Sequence, residues 1–154
     1  MNLAAIIVAG GSGKRFGSKK PKQFLSLSKK PMFLWSILAF QKIKKCTQII
    51  LVIPEDKLQE TLKYKKLYGI DIAFGGKERF DSVKNGLKAV KDNIDLVAVH
   101  DAARPLITEK IIKEVVKSAE KNGAAIAAVT SKDSVKFSKS GTKITNSLDR
   151  KNIW

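Results

Sequence analysis

Three stretches of this 154-residue chain carry residue types and spacings that could do chemistry. The first is Gly10-Gly-Ser-Gly-Lys-Arg-Phe-Gly17, continued by Lys19, Lys20 and Lys22. Glycines let backbone N–H groups approach an anion closely, and the surrounding cations add charge, so this loop suits a polyphosphate such as a nucleoside triphosphate. A flexible basic loop is the plainer alternative. Neither common phosphate fingerprint fits: G-x-G-x-x-G starting at Gly11 would need glycine where Phe16 stands, and the Walker pattern would need glycine at Val8 and a hydroxyl at Arg15. The second stretch is Gly75-Gly76 with Ser82 shortly after it, where a hydroxyl near a helix start could bind an anion or a base edge, or could be an ordinary first-turn serine. The third is His100-Asp-Ala-Ala-Arg-Pro105. Asp101 could hold Mg²⁺ against phosphate oxygens, since hard cations take oxygen ligands, or could cap a turn. His100 reads as structural, because a Ser-His-Asp hydrolase would need it as base and no G-x-S-x-G elbow accompanies it.

These loops need elements to position them. Leu3-Ala-Ala-Ile-Ile-Val8 is a continuous apolar run, the pattern of a strand buried on both faces. Similar reasoning predicts strands over 48–53, 70–74, 96–99 and 124–130, alternating with helices over 32–43, 56–67, 81–90 and 109–121. Thr108 is placed to cap the last helix and Asn122-Gly123 to end it. Strands alternating with helices imply crossovers and a mainly parallel sheet, so the predicted class is α/β, doubly wound and Rossmann-like. From Lys132 the pattern changes: two short strands around Ser138-Lys-Ser-Gly141 predict a protruding β-hairpin arm over 133–149 within a single domain, 1–154. All three chemically suggestive loops follow predicted strands, and ligands bind beyond the carboxyl ends of such strands.

Composition narrows the classes. The hydrophobic fraction of 44% is enough for a buried core and excludes wholesale disorder. One cysteine, Cys46, and one histidine, His100, cannot form an intramolecular disulfide or a structural zinc set, which fits a reducing cytoplasm. The apolar run at the start is too short for a membrane span and lacks a basic leader, so no membrane partner is expected. A net charge of +16 suggests a nucleic-acid-binding module, yet 26 of the 30 basic residues are lysines. Many sit at solvent-facing helix spacing, as do Lys110, Lys113, Lys117 and Lys121. The four arginines, Arg15, Arg79, Arg104 and Arg150, are the informative cations, and no nucleic-acid partner is expected.

Taken together, Ala9-Gly-Gly-Ser-Gly-Lys-Arg15, Pro21-Lys22-Gln23, Gly75-Gly76-Lys-Glu-Arg79-Phe-Asp81-Ser82-Val83, Val99-His-Asp-Ala-Ala-Arg-Pro105 and Leu148-Asp149-Arg150 resemble the 2-C-methyl-D-erythritol 4-phosphate cytidylyltransferases, in order along the whole chain. The related ribitol-5-phosphate cytidylyltransferases share much of the pattern. The resemblance implies a nucleotidyltransferase-type fold. It also implies transfer of the cytidylyl group of CTP to a polyol phosphate, with release of pyrophosphate, in non-mevalonate isoprenoid biosynthesis.

By motif position the resemblance implies roles for individual residues. Arg15 and Lys22 match the catalytic cations; Ala9, Gly10, Gly11 and Gly13 line the CTP; Gly76 and Ser82 match cytosine-side contacts, and Ala102 a nucleotide contact. Asp101 matches the ligand of Mg²⁺ or another divalent cation, and Arg104 a substrate-phosphate contact. Arg150 matches a residue reaching the neighbouring subunit's site, which implies a homodimer built through the hairpin arm. Lys77 stands where some relatives carry an acid beside the cytosine, so a base contact through that side chain is not expected. Family members continue past Asn152-Ile-Trp154 with a further strand, a helix, a second metal carboxylate and a basic contact, so the 154-residue polypeptide is expected to be catalytically impaired alone.

Overall fold

A computed structural model describes residues 1–11 and 21–154. Gly13 and Arg15, with Lys14, Lys19 and Lys20, lie outside the described residues. In chain order these residues form β1 (Leu3–Val8), a 3-10 turn (Lys22–Phe24), a small hairpin of β2 (Ser26–Leu27) and β3 (Lys30–Pro31), and α1 (Met32–Gln41). There follow β4 (Cys46–Ile53), α2 (Leu58–Tyr68), β5 (Asp71–Phe74), α3 (Arg79–Lys88), β6 (Leu96–Asp101) and α4 (Glu109–Asn122). The antiparallel pair β7 (Lys136–Phe137) and β8 (Asn146–Ser147) comes last.

The main sheet runs β5-β4-β1-β6 with every neighbouring pair parallel. Successive side chains of a strand point to opposite faces, and β1 shows this plainly. Leu3, Ala5 and Ile7 join the larger core with Phe33, Ile37 and Phe40 of α1 and Ile112 and Val116 of α4, while Ile6 joins Ile50 and Val52 on the other face. Both faces are covered, which is why the apolar runs are continuous rather than alternating. The doubly wound α/β class is observed, and the hairpin pair is present within the segment predicted to be an arm.

Helix α3 reaches the second face through Gly86. A Cβ built there would lie 2.6 Å from Ile6 Cγ2 and 3.1 Å from Val52 Cγ2. Gly86→Ala is therefore expected to lose about 1–3 kcal/mol by overpacking, despite a helix-propensity gain of about 1 kcal/mol. Urea unfolding checks this; a stabilised variant would show that α3 can shift outward freely.

The predicted caps of α4 are in place. The Ile111 N–H donates to Thr108 Oγ1 (3.3 Å), and Gly123 ends the helix at φ +83°. Lys110, Lys113, Lys117 and Lys121 are all exposed opposite the buried Ile112 and Val116.

One predicted strand is corrected. Residues 124–130 form no strand, and Ile126 and Val129 are 85% and 82% exposed. The run Ala-Ala-Ile-Ala-Ala-Val-Thr has the composition of a buried strand, but a strand exists only where its N–H and C=O groups find partners. Among the described residues β6 is an edge of the sheet, paired only to β1.

Candidate active site

Parallel β1, β4, β5 and β6 bring their carboxyl ends to one edge, and the loops leaving that edge hold the candidate residues. The first and second glycine loops touch across the end of β4. The Ala9 N–H donates to the Val52 carbonyl (2.8 Å) and the Gly75 N–H to the Ile53 carbonyl (2.8 Å), so both loops are fastened to the same strand end. A Cβ at Gly10 would lie 3.2 Å from Gly75 Cα and 3.0 Å from Ser82 Oγ. Glycine at both places is thus what lets the two backbones meet.

Ser82 is 2% exposed and serves this junction: its Oγ accepts from the Gly76 N–H (3.2 Å) and donates to the Glu78 carbonyl (3.2 Å). Gly76 has no room for a side chain, since a Cβ would fall 2.2 Å from Asp81 Cβ. Asp81 in turn accepts from the Glu78 N–H (3.1 Å), fixing the start of α3 beside the loop.

The third loop joins the same edge. Asp101 stands opposite Val8 in the β1–β6 register, and the Ala102 N–H donates to the Val8 carbonyl (3.0 Å). Ala102 is fully buried, so its side chain packs the floor of the edge. The half-buried Asp101 carboxylate is held by two guanidiniums: Arg79 Nε at 3.0 Å from Oδ1 and Arg104 Nε at 3.5 Å from Oδ2. Exposed pairs of this kind contribute only about 0.2–1 kcal/mol, so their importance is placement. Arg79, one of the four informative arginines, gathers with Arg104 on one carboxylate.

His100 fixes that turn. Its Nε2 faces the Arg104 carbonyl at 3.1 Å, and because a carbonyl only accepts, the ring nitrogen is the donor. The ring also meets Phe40 edge-on at 5.6 Å. Burial holds the imidazole pKa below its ordinary 6.5. The unfolded chain therefore takes up this proton more readily, so the contribution to stability is complete above pH 6.5 and is lost as pH falls through the lowered value. Urea unfolding from about pH 7.5 down to about pH 5 should show a shallower loss in His100→Gln than in the unmodified chain; parallel curves would exclude this role.

Cys46 lies at the opposite end of β4, and burial pushes its thiol up to about 11. It is no nucleophile at neutral pH.

Lys22 is exposed at the start of the 3-10 turn, and its neighbour Gln23 is buried. Gln23 Nε2 donates to both the Ala9 and the Gly11 carbonyls, each at 2.6 Å. In the sequence Gln23 stands within Pro21-Lys22-Gln23 with no role assigned to it. Its one local signal was its place between a lysine and the apolar Phe24, and the bonds themselves join segments distant in sequence.

The structure thus brings together Ala9, Gly10, Gly11, Gly76, Ser82, Asp101, Ala102 and Arg104, with Lys22 tethered through Gln23. Arg150 is joined to none of them by a described contact. It opens a 3-10 turn beyond the hairpin and donates from Nη1 to the Lys132 carbonyl (3.3 Å), with no ion pair or hydrogen bond to the sheet edge among the described residues.

Among the described residues no cluster of three or more His, Cys, Asp or Glu could enclose a metal ion. No helix there is long and apolar enough to cross a membrane. Among the described residues Asp101 supplies a hard oxygen donor of the kind that suits Mg²⁺, which commonly takes one or two carboxylates and completes its shell with substrate phosphates and water.

Comparison with known proteins agrees with this fold. The family model for 2-C-methyl-D-erythritol 4-phosphate cytidylyltransferase (IspD) matches residues 3–154. The chain is 54% identical to the protein of that name from Endomicrobium trichonymphae, over 97% of this chain and 68% of the relative. It is 40% identical to that of Syntrophus aciditrophicus, over 99% of this chain and 67% of the relative. Among solved structures, 4-diphosphocytidyl-2C-methyl-D-erythritol synthase from Anaerococcus prevotii superposes with a TM-score of 0.87 at 27% identity, covering 99% of this chain and 66% of that one. The chain therefore spans about two thirds of the length of these relatives.

Proposed function

Because the chain belongs to the 2-C-methyl-D-erythritol 4-phosphate cytidylyltransferase family, we propose that it transfers the cytidylyl group of CTP to 2-C-methyl-D-erythritol 4-phosphate. The observation that carries this reading is the meeting of the Gly10 and Gly75 backbones over the end of β4, with Ser82 beneath and Asp101 at the next strand but one. One edge then offers backbone amides, a buried hydroxyl and a carboxylate within reach of a single nucleotide.

In the reaction, a phosphate oxygen of the polyol phosphate bonds to the α-phosphorus of CTP while the bond from that phosphorus to the bridging oxygen breaks. The electron pair leaves with pyrophosphate. Negative charge grows on the equatorial and leaving oxygens, and fixed cations there stabilise the transition state more than the ground state. Lys22 supplies one such cation, and by motif position Arg15 supplies the other. The junction of Gly10, Gly76 and Ser82 forms the nucleotide's floor, and Arg104 offers a planar guanidinium to the substrate phosphate. Asp101 would hold Mg²⁺, which when bound neutralises phosphate charge. Arg79 and Arg104, held beside Asp101 through their Nε atoms, have further guanidinium N–H groups to offer to phosphate oxygens. Arg150 is assigned, by its motif position, to a neighbouring subunit's site in a homodimer joined through the hairpin arm; among the described residues it has no bond to this chain's own sheet edge.

The test is pyrophosphate release from CTP in the presence of Mg²⁺. Turnover with methylerythritol phosphate and none without it supports the proposal, whereas turnover with ribitol 5-phosphate alone assigns the chain to the related polyol chemistry.

A further inference from the structure

We infer that Gln23 is a positioning residue that holds Ala9–Gly11, where the first glycine loop begins, in a shape suited to phosphate, and ties the Lys22 backbone to it. The inference rests on the function proposed above.

A glutamine carboxamide has two N–H donors on one nitrogen, and here both are directed at the loop, one to the Ala9 carbonyl and one to the Gly11 carbonyl, each at 2.6 Å. Gln23 is 5% exposed, and its bond to the Ala9 carbonyl is buried while that to Gly11 is half-buried. Carbonyls two residues apart can converge on one nitrogen only if the backbone between them curves around it. In a planar trans peptide the C=O and the following N–H point in opposite directions. Holding the Ala9 carbonyl toward Gln23 therefore turns the Gly10 N–H away from it. An anion-binding concavity needs that polarity, with carbonyls drawn inward and amides left to face the ligand.

The same side chain is one residue from Lys22. The Leu25 N–H donates to the Lys22 carbonyl (3.0 Å) and the Phe24 N–H to the Pro21 carbonyl (2.9 Å), so the turn is internally closed. Phe24, 2% exposed, anchors it in the core. The Lys22 backbone and the Ala9–Gly11 backbone are thereby set relative to one another by one buried carboxamide.

The experiment compares CTP with CMP, measuring each dissociation constant by calorimetry with Mg²⁺ for the unmodified chain, Gln23→Met and Gln23→Glu. Methionine keeps the length without donors, and glutamate replaces the donor nitrogen with an oxygen that repels both carbonyls. CTP affinity is expected to fall on the order of 10-fold to 100-fold, the scale set by small misplacements of positioned groups, with a clearly smaller change for CMP. A general loss of structure would weaken both ligands alike. In the unmodified chain, the Gln23 carboxamide protons are expected to exchange slowly in nuclear magnetic resonance spectra and to shift more with CTP than with CMP. Equal losses for the two nucleotides, unchanged CTP affinity, or fast-exchanging carboxamide protons would overturn the inference alone. Failure of the unmodified chain to bind CTP would overturn the proposed function, and this inference with it.

Discussion

Replacing Lys22 by alanine is expected to slow pyrophosphate release from CTP by about 10²-fold or more, the loss seen when one preorganised charge stabiliser is removed. The side chain is exposed, so its truncation removes little packing, and the fold should persist. The 3-10 turn holds its backbone beside Ala9–Gly11 through Gln23, which keeps the side chain's root at the sheet edge. Because that charge is greatest in the transition state, kcat should fall much more than KM for CTP rises. Lys22→Arg should recover only part of the rate, since a planar fork does not occupy the position of a compact ammonium. Arg15→Met is the companion variant, and combining the two should cost less than the product of the single losses if the cations act on the same developing charge. A Lys22→Ala chain with unchanged kcat would remove the lysine from the chemistry.

The largest loss of stability is expected at Phe33. Its ring is fully buried and meets Phe24 at 5.3 Å and 64°, and Tyr64 at 5.2 Å and 90°, so it fills the space between the 3-10 turn, α1 and α2. Both contacts have the edge-to-face geometry that aromatic quadrupoles favour. Phe33→Ala should cost about 3–5 kcal/mol in urea unfolding, from the lost transfer energy and from a cavity that rigid neighbours cannot close. Against a domain stability of about 5–15 kcal/mol this is a large fraction. The consequence reaches the site, because Phe24 follows Gln23 directly and the Met32 N–H donates to the Leu25 carbonyl (2.9 Å), linking the turn to α1. A cost below about 1 kcal/mol would mean that Phe24 and Tyr64 collapse into the space, contrary to the close packing of such cores.

Much of the site was legible in the sequence, and the reason is local. The run Leu3–Val8 forms β1 with those bounds because a continuous apolar stretch ended by glycines has one good solution in a sheet buried on both faces. Thr108 and Gly123 cap α4 as read, since a cap involves residues one turn apart. The glycine pairs and Asp101 could be assigned to one edge because alternating strands and helices in a parallel sheet send every strand exit the same way.

What the sequence by itself determined about this protein is the order of elements, the class of fold and the residues offered at the carboxyl edge, all of which follow from period, capping and spacing along the chain. Tertiary structure alone decided which of those residues touch: that Gly10 meets Gly75, that Arg79 and Arg104 share Asp101, and that Gln23 binds the Ala9 and Gly11 carbonyls. It also decided that 124–130, apolar enough for a strand, forms none. Each of these depends on a partner distant in sequence, and local patterning records how well a segment tolerates burial or a turn without recording what will lie across from it.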